Sequence, residues 1–382
     1  MRIGLLYPTP DPLSPANWSG SPHGLAGGLR DIGVEVVPLG AKLPPVMHQA
    51  VAVLSRITGK RGAVAERTPV RQSSRTWALS RRLRAAAPTL DGVIAMGLEL
   101  YDLGAVRSAD VPVATFDDGT LIQQWNNKDS DIRQSGFPED EVRLWFDRQG
   151  ASARAANVCC VATNYAARSF VDDYGVSADH VRVVGMGHRP RASGTAVRDW
   201  STPRFLFVGV DWQRKNGEAV LRAFERVRQE YPTATLDLVG DHPFVDRLGV
   251  RDHGFLARQD GESQRLLDSL FASSTAFVLP SRFDLSPIAY MEAASAGMPV
   301  VATTEGGAGE VLGEAAVSVH PDSPDELAAA MLRLADPATA ESLGATAKAA
   351  AANASWAHVA QRIVDALGTD SFTAKNRTGV SS

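Results

Sequence analysis

A strand–loop–helix–strand unit in the last third of this chain constrains its fold more than any other stretch. Residues 276–279 form a short apolar run bounded by proline, which is typical of a buried strand in a parallel sheet. Pro287 suits the first turn of the following helix, because the missing N–H costs nothing there, and Gly297 ends that helix. A second buried strand is predicted at residues 299–303. The unit therefore predicts an α/β fold with a parallel sheet.

The same alternation of apolar runs and helical stretches recurs along most of the chain. Further strands are predicted at residues 2–7, 35–39, 92–96, 111–116, 158–163, 181–184, 204–209, 235–239, 252–256 and 315–319. Helical stretches separate these runs, and such an order is typical of mostly parallel sheets with helices on both faces. We therefore expect two doubly wound domains.

Length and local composition indicate where these domains begin and end. The chain has 382 residues, enough for two domains of ordinary size. Residues 189–202 contain Pro, Gly, Ser and mixed charge without periodicity, so they are interpreted as a linker between domains 1–188 and 203–353. Residues 354–368 carry an apolar face at helical spacing, and the polar residues 369–382 predict a disordered tail.

Charge, cysteine content and hydropathy exclude several classes of protein. The formal net charge of -4 gives no general attraction to nucleic acid or membranes. The two cysteines, Cys159 and Cys160, are adjacent in a predicted strand and form neither a disulfide framework nor a zinc site, which fits a reducing cytoplasm. No stretch approaches the ~20 apolar residues of a membrane span, and the apolar run after Met1 is too short for a secretory segment. We expect a cytoplasmic protein without a nucleic-acid partner.

Polar residues and glycines follow several predicted strands, at the sheet edge where open parallel sheets bind ligands. These groups lie at residues 19–20, 117–118, 209–215, 240–241, 281–284 and 304–307. Two carboxylates have a fixed spacing: Asp284 lies in a loop, and Glu292 lies eight residues later inside a helix. The neighbours of Glu292 are mostly Ala, and a charge on such a buried helix is costly unless it has a partner. The structural alternatives are a helix-capping Asp284 and an exposed helical Glu292.

The stretch around these carboxylates resembles the donor-sugar site of the retaining GT-B glycosyltransferases, above all glycosyltransferase family 4. That family carries Glu, seven residues and Glu after a Pro-Ser strand end, and then Gly-x-Pro-Val-Val-Ala. Here the corresponding residues are Asp284 and Glu292, with Gly-Met-Pro-Val-Val-Ala at 297–302. The first Glu is replaced by an Asp that is one methylene shorter. The usual Gly-Leu before the helix is Pro287-Ile288, which removes one backbone N–H.

A second match to this family is the turn at residues 209–217, which joins a strand to a helix. The family places a Lys six residues after Gly209, and Lys215 matches it. The family's Arg beside the Gly is Val210 here, and Arg214 supplies a positive charge instead. Fixed cations and a helix N-terminus stabilise an anionic diphosphate, which gains charge as it leaves. The alternative is a basic pair on a solvated loop.

The resemblance implies a GT-B fold, with two facing Rossmann-like domains, a cleft between them and a last helix that packs back on the first domain. It implies that a sugar moves from a nucleotide diphosphate sugar to an acceptor hydroxyl with retention of anomeric configuration and without a metal or other cofactor. Three classes of acceptor stay open: a glycan, a lipid-linked glycan and a small molecule.

The resemblance also implies roles for individual residues. The expected donor-binding residues are Gly20, Gly209, Arg214, Lys215, Ile288, Glu292, Gly306 and Gly307. Glu292 is expected to accept both ribose hydroxyls, and the amides of Gly306 and Gly307 to face the diphosphate or nucleoside unless they form only a turn. The catalytic candidates are Asp284, Asp117 and Lys215.

These catalytic candidates have their own expected contacts. Asp284 is expected to touch hydroxyls of the transferred sugar. Asp117 follows a strand of the first domain, where related enzymes often carry a polar residue, commonly His, that contacts this sugar. The alternative for Asp117 is a turn, because Asp-Gly is a strong turn signal. Gly20 is expected to approach the donor phosphate or the acceptor, since Gly permits close backbone approach.

Three other functions stay open. An inverting GT-B enzyme uses a His after its first strand as base, and His23 with Asp117 or Asp118 fits that spacing loosely. A nucleotide-sugar-binding scaffold without turnover is compatible with Asp284 and Val210. A GT-B epimerase shares the fold, although its characteristic acids and His do not occur together here.

A basic segment suggests a further partner. Residues 56–84 contain nine basic residues and one acid. In family members that act on lipids, a basic surface of the first domain meets anionic membrane, so peripheral contact at the inner membrane face is a possible role of this segment. The alternative is a solvated segment.

Overall fold

The computed structural model describes residues 1–57, 67–108, 110–191 and 198–377, and the contacts divide the chain into two units. The N-terminal unit comprises Met1–Asn126, Ile132–Gly185 and the chain from Trp356 onward. The C-terminal unit comprises Asn127–Asp131 and Met186–Ser355. Each unit has its own parallel sheet, as the alternation of apolar runs predicts.

The N-terminal unit contains six parallel strands in the order β2-β1-β3-β4-β5-β6. The strands are β1 Arg2–Tyr7, β2 Glu35–Gly40, β3 Gly92–Ala95, β4 Val113–Asp117, β5 Val158–Val161 and β6 Val181–Val183. The helices of this part of the chain are α1 Ser21–Asp31, α2 Pro45–Ile57, α3 Pro69–Ala86, α4 Leu103–Val106, α5 Leu121–Asn126, α6 Asp131–Gln134, α7 Glu139–Ala155 and α8 Asn164–Asp172. The central strands β3, β4 and β5 are buried along their whole length, as continuous apolar runs require.

The C-terminal unit contains six parallel strands in the order β12-β11-β10-β7-β8-β9. The strands are β7 Arg204–Val208, β8 Thr235–Val239, β9 Val250–Asp252, β10 Ala276–Val278, β11 Val300–Thr303 and β12 Ala316–Val319. The helices are α9 Gly217–Glu230, α10 Gly261–Ser273, α11 Ile288–Ser295, α12 Ala308–Leu312, α13 Pro324–Ala335 and α14 Pro337–Ala351. Strand order reverses between β7 and β10, and ligands of such sheets bind at this switch point.

Tyr290 anchors α11 to the carboxyl edge of the C-terminal sheet. Its hydroxyl donates to the Leu279 carbonyl at 2.6 Å and accepts from the Thr303 N–H at 3.0 Å, so one side chain joins the ends of β10 and β11. The ring is fully buried, 6.4 Å from the ring of Phe277. The position of α11, and of the carboxylate of Glu292 on it, is therefore set by buried contacts.

Arg198 ties the predicted linker to the C-terminal unit. Its guanidinium donates to the carbonyls of Phe271 at 2.9 Å, Ala296 at 2.7 Å and Gly297 at 3.1 Å, so it caps the C-terminal ends of both α10 and α11. Carbonyls at a helix C-terminus carry partial negative charge, which favours a cation there. Burial lowers the pKa of Arg198 to about 10.

These contacts correct the predicted boundaries. The division between the units falls between Gly185 and Met186 instead of after residue 188. The predicted linker 189–202 packs on the C-terminal unit at both of its described ends, because its arginines find buried acceptors there. Residues 192–197 lie outside the described residues.

The last helix, α15 Trp356–Arg377, packs on α1 within the N-terminal unit. Two glycines of α1 permit this approach: a Cβ at Gly28 would lie 2.2 Å from the Trp356 carbonyl oxygen, and one at Gly24 would lie 2.2 Å from the indole nitrogen. The helix continues ten residues beyond the predicted end at Leu367 into the segment predicted as a disordered tail. Residues 378–382 lie outside the described residues.

Candidate functional site

The loops after β7 and β10 leave the C-terminal sheet at its switch point, and Lys215 meets Asp284 there. The Lys215 Nζ donates to Asp284 Oδ2, and both side chains are largely buried, at 11% and 14% exposure. Arg214 Nη1 lies 3.6 Å from the same carboxylate oxygen and donates to the Phe283 carbonyl at 3.4 Å. The predicted phosphate-binding cations and the predicted sugar-binding carboxylate thus form one cluster.

The loop after β7 is held in a tight conformation that fixes Lys215. Two non-glycine residues, Asp211 and Asn216, have left-handed backbone with φ of 66° and 61°. The Lys215 N–H donates to the Asp211 carbonyl at 2.9 Å, and the Asn216 amide donates to the Pro321 carbonyl at 2.9 Å. Strained backbone of this kind persists only where surrounding contacts maintain it, and it is enriched at functional sites.

Gly209 and Gly306 allow backbone segments to close around this cluster. A Cβ at Gly209 would lie 3.1 Å from Cγ of Lys215, which leaves little space for a side chain. Gly306 has φ of +73° and forms an isolated parallel bridge with Asp284. The Ala308 N–H donates to the Asp284 carbonyl at 3.2 Å, and Gly307 precedes α12 as its N-cap. Three loops, after β7, β10 and β11, therefore converge at Asp284.

Further carboxylates balance the charge of Arg214. Asp211 Oδ2 lies 3.1 Å and Asp131 Oδ1 lies 2.5 Å from its Nε. Burial alone lowers the pKa of Arg214, but Asp284, Asp131 and Asp211 outweigh burial and raise it. Burial raises the pKa of Asp131, and the charge of Arg214 opposes that shift. Acids of the protein thus pair with both cations.

Glu292 lies in a different ion-pair cluster of the C-terminal unit. It is on α11, four residues after Ile288, and its Oε1 lies 3.0 Å from Arg191 Nη2. Arg191 Nη1 also donates to Asp268 Oδ1 at 3.1 Å. The structure brings together Arg214, Lys215, Asp284, Gly209, Gly306 and Gly307, whereas Glu292 has its own cationic partner.

Sequence reasoning missed several residues of these two clusters. Four residues contact or adjoin the predicted site residues but are not among the donor-binding or catalytic residues expected from the sequence: Arg191, Asp211, Phe283 and Asn216. Arg191 lies in a segment without periodicity, and its partners are 73 to 101 residues away in sequence. The sequence therefore gave only a weak indication of its role. Asp211 lies three residues after the end of β7, within the strand-end group 209–215, so its position was a usable signal.

Asp117 and Gly20 belong to the N-terminal unit. Asp117 is the last residue of β4, is 7% exposed, and has a buried Oδ2 without a hydrogen-bond partner. Burial raises the pKa of Asp117 well above its usual value, and the nearby charges of Glu99 and Asp118 add to the shift. Gly20 has φ of +87° and is the N-cap of α1. Burial of Asp117 thus favours its protonated form.

His23 does not contact the carboxylates proposed to orient it. It is exposed on α1, and its Nδ1 lies 3.1 Å from the Leu13 carbonyl oxygen. A histidine that acts as a base in such a pair needs a carboxylate against its ring. Over the described ranges, no group of three or more His, Cys, Asp or Glu side chains is arranged to hold a metal ion.

Comparison with known proteins adds an independent observation. Residues 202–336 match the family described as "Glycosyl transferases group 1", and this range contains the Lys215–Asp284 cluster and Glu292. The matched range is about a third of the chain and lies within the C-terminal unit. The predicted resemblance and the predicted GT-B class of two Rossmann-like units are therefore confirmed.

Two curated relatives match more than half of the length of this chain. It is 27% identical over 242 residues to an MMP alpha-(1->4)-mannosyltransferase of Mycolicibacterium hassiacum, with 58% of this chain and 57% of the relative covered. It is 26% identical to a D-inositol 3-phosphate glycosyltransferase of Xylanimonas cellulosilytica, with 68% and 67% covered. The chain thus spans little more than half the length of the first of these relatives.

Among solved structures, a sucrose-phosphate synthase of Thermosynechococcus elongatus matches with a TM-score of 0.66 and 17% identity, covering 98% of this chain and 100% of that chain. At this identity the match establishes the fold. In the described part of this chain, no helix combines the length and apolar character needed to cross a membrane.

Proposed function

We propose that this chain transfers a sugar from a nucleotide diphosphate sugar to an acceptor hydroxyl. The observation that carries the proposal is the contact of Lys215 and Arg214 with Asp284 at the switch point between β7 and β10. This is the sheet edge where a doubly wound unit binds its ligand. The cluster also lies inside the residues that match the group 1 family.

The donor diphosphate is proposed to bind Lys215 and Arg214, and its oxygens replace some of the carboxylate contacts of these two cations. Both cations are held at 11% and 15% exposure, so they are oriented before the ligand arrives. Lys215 has three donor hydrogens, and its ammonium can retain one bond to Asp284 while it binds phosphate oxygen. Because the diphosphate gains negative charge as it leaves, preoriented cations stabilise the transition state more than the ground state.

The remaining donor contacts are assigned by position around this cluster. Asp284 is proposed to accept hydroxyls of the transferred sugar, and the amides of Gly306 and Gly307 to face the diphosphate or nucleoside. Ile288 and Glu292 lie on α11, which Tyr290 fixes to the sheet edge, and Glu292 is proposed to bind the ribose. These roles are supported by the family match and by the convergence of three loops at Asp284.

Transfer is proposed to retain the anomeric configuration and to proceed without a resident metal. An oxygen of the leaving diphosphate accepts the proton of the acceptor hydroxyl on the face from which the sugar departs. The new glycosidic bond forms on that face as the bond to the diphosphate breaks. The matched spacing of Asp284 and Glu292 supports this assignment.

Asp117 is proposed to act as a hydrogen-bond donor. A carboxylic acid that burial keeps neutral donates a hydrogen bond that an ionised carboxylate cannot. The raised pKa and the unpartnered buried Oδ2 support this role over that of a general base. Gly20 is proposed to allow close backbone approach of a donor or acceptor group.

Release of nucleoside diphosphate from a panel of UDP-, ADP- and GDP-sugars tests the proposal. We expect Lys215→Ala to lower kcat/KM at least about 100-fold, which is typical of removing one transition-state donor. The control is Arg222→Ala, whose side chain is 57% exposed and pairs with Glu218 on the same helix. Wild-type release rates in Lys215→Ala would show that the cluster is not the donor site.

The anomeric configuration of the product tests the stereochemical part separately. One-dimensional proton NMR during turnover distinguishes the two anomers directly. A product of inverted configuration would exclude the proposed mechanism and return His23 to consideration as a base. Loss of turnover in His23→Ala, with nucleotide binding intact, would support that alternative.

A binding scaffold without turnover is the second candidate function. Two observations favour it. The Asp284 carboxylate already pairs with Lys215, and Val210, which is 50% exposed, stands where the family carries Arg. In this case a nucleotide sugar raises the unfolding temperature but no nucleoside diphosphate is released. Measurable release excludes it.

Peripheral membrane contact through residues 56–84 stays a prediction. Residues 58–66 of this segment lie outside the described residues. In the rest, Arg67 pairs with Glu99 at 3.4 Å, and the Arg81 guanidinium lies 5.8 Å from the centroid of the Trp77 ring, which is 40% exposed. Cosedimentation with vesicles that contain anionic lipid, compared with neutral vesicles, tests it.

A further inference from the structure

Arg191 makes a set of contacts in the C-terminal unit that the proposed chemistry does not use. One terminal nitrogen lies 3.0 Å from Oε1 of Glu292, and both side chains are 15% exposed. The other donates to Asp268 at 3.1 Å and to Gln264 at 3.3 Å, both on α10. The guanidinium lies 5.1 Å from the ring centroid of Phe271. Arg191 thus bridges α10 and the carboxylate on α11.

The guanidinium is fixed from three directions. Asp268 and Gln264 hold one end, and the ring of Phe271 defines the plane next to which it lies. Arginine is suited to this bridge because its planar fork can satisfy two acceptors at once, whereas the ammonium of Lys is a point charge. The remaining terminal nitrogen therefore faces Glu292 in a defined orientation.

Glu292 keeps unused acceptor capacity despite this ion pair. An ionised carboxylate offers about four lone-pair sites. Within the described residues, Arg191 is its ion-pair partner, and its side chain accepts no hydrogen bond. On α11, among buried Met291, Ala293 and Ala294, an unpaired charge would be costly. Arg191 removes that cost and leaves lone pairs available.

We propose that Arg191 is a positioning residue for ribose recognition. It orients the Glu292 carboxylate, so that the free lone pairs accept hydrogen bonds from the 2′- and 3′-hydroxyls of the donor nucleotide. This inference rests on the proposed function, because it assumes that Glu292 binds ribose. It assigns selectivity for ribonucleotides over 2′-deoxyribonucleotides to an arginine in the segment interpreted from sequence as a linker.

Paired nucleotide titrations test this inference. The probes are UDP, ADP and GDP, each with its 2′-deoxy counterpart, titrated by calorimetry into the full chain. For the nucleotide that binds best, we expect the wild type to bind the ribose form about 10-fold or more tightly than the deoxy form, since a hydrogen bond to a charged group is at stake. We expect Arg191→Gln to reduce that ratio below about 3-fold with little change for the deoxy form.

Further variants test whether the loss of ribose selectivity comes from the contact between Arg191 and Glu292. Arg189→Gln alters an exposed arginine two residues away in the same segment and is expected to keep the wild-type ratio. Glu292→Gln is expected to reduce the ratio as much as Arg191→Gln does. The double variant is expected to reduce it no further, because residues that act through one contact are not additive.

The outcomes separate this inference from the proposed function. If Glu292→Gln loses ribose selectivity and Arg191→Gln keeps it, the positioning role of Arg191 is overturned while the donor site stands. A wild type that binds both sugar forms equally also overturns the inference. If Lys215→Ala and Glu292→Ala leave nucleotide affinity unchanged, the proposed donor site itself is wrong. Should Arg191→Gln fail to fold, Asp268→Asn weakens the same anchor and must then lower the ratio.

Discussion

The backbone of Gly306 lies directly against the carbonyl of Asp284. A Cβ at position 306 would be 2.1 Å from that oxygen, and the φ angle of +73° is one that side chains rarely adopt. The Ala308 N–H donates to the same carbonyl. The loop after β11 therefore sets the position of Asp284, the only carboxylate that contacts Lys215 in the described part of the chain.

Replacing Gly306 with Ala is expected to displace Asp284. The left-handed backbone costs roughly 1–2 kcal/mol for a residue with a Cβ, and the clash with backbone adds to it. We expect nucleotide release to fall at least about 10-fold, because small misplacements near a reacting centre are costly. The control is Gly313→Ala, where φ is +52° but no atom lies within 4 Å. Equal effects of both changes on release would contradict the role of the Gly306 contact.

Substitution of two neighbouring glycines of α1 by Ala is expected to change the free energy of unfolding in opposite directions. A Cβ at Gly28 would meet the Trp356 backbone, so Gly28→Ala is expected to destabilise the N-terminal unit by about 1–3 kcal/mol through overpacking. No atom lies within 4 Å of a Cβ at Gly27, so Gly27→Ala is expected to stabilise α1 by about 0.5–1 kcal/mol. Urea unfolding followed by tryptophan fluorescence measures both. A stabilising Gly28→Ala would show that α1 and α15 do not pack closely.

The stability effect of Asp117→Asn is expected to depend on pH. The pKa of Asp117 is raised by burial well above the value of about 3.9 expected in the unfolded chain. Between these two values the folded state binds more protons than the unfolded state, so wild-type stability falls as pH rises through that window. Asn removes this dependence. We therefore expect the variant to gain stability relative to wild type as pH rises above about 4 in urea titrations. A difference that is constant with pH would contradict the raised pKa of this buried acid.

Arg198→Met is expected to destabilise the C-terminal unit by about 3 kcal/mol, because several helix-end carbonyls lose a charged donor. Arg204→Met is the matched control. Its side chain is 36% exposed and pairs with Asp199 at 3.5 Å, so its loss is expected to cost less than about 1 kcal/mol. Thermal unfolding of the two variants measures the difference. Similar melting temperatures would show that Arg198 does not hold the ends of α10 and α11.

The sequence was sufficient to predict the alternating elements and to place Lys215 and Asp284 in loops that follow strands. Strands that are buried on both faces are continuous apolar runs, and the residues just after them lie at one edge of the sheet. β9 was placed two residues late, because its short and partly exposed run has a weak apolar signal. The Glu292 partner was not predictable in this way, since Arg191 lies in a segment without periodicity.

The end of the last helix was also beyond sequence reasoning. The apolar face of α15 ends near Leu367, and the following residues are polar, so no hydrophobic pattern indicates that helix continues to Arg377. The raised pKa of Asp117 likewise depends on burial by distant segments. Local composition carries no information on either property.

The packing of α15 on α1 has a consequence for the order in which the chain matures during translation. Every residue of the C-terminal sheet leaves the ribosome before Trp356 does. The C-terminal unit can therefore complete its folding while the N-terminal unit still lacks α15, which covers one side of its core. The half that is synthesised first is therefore the one finished last, and its incomplete surface around Gly24 and Gly28 must stay soluble in the meantime.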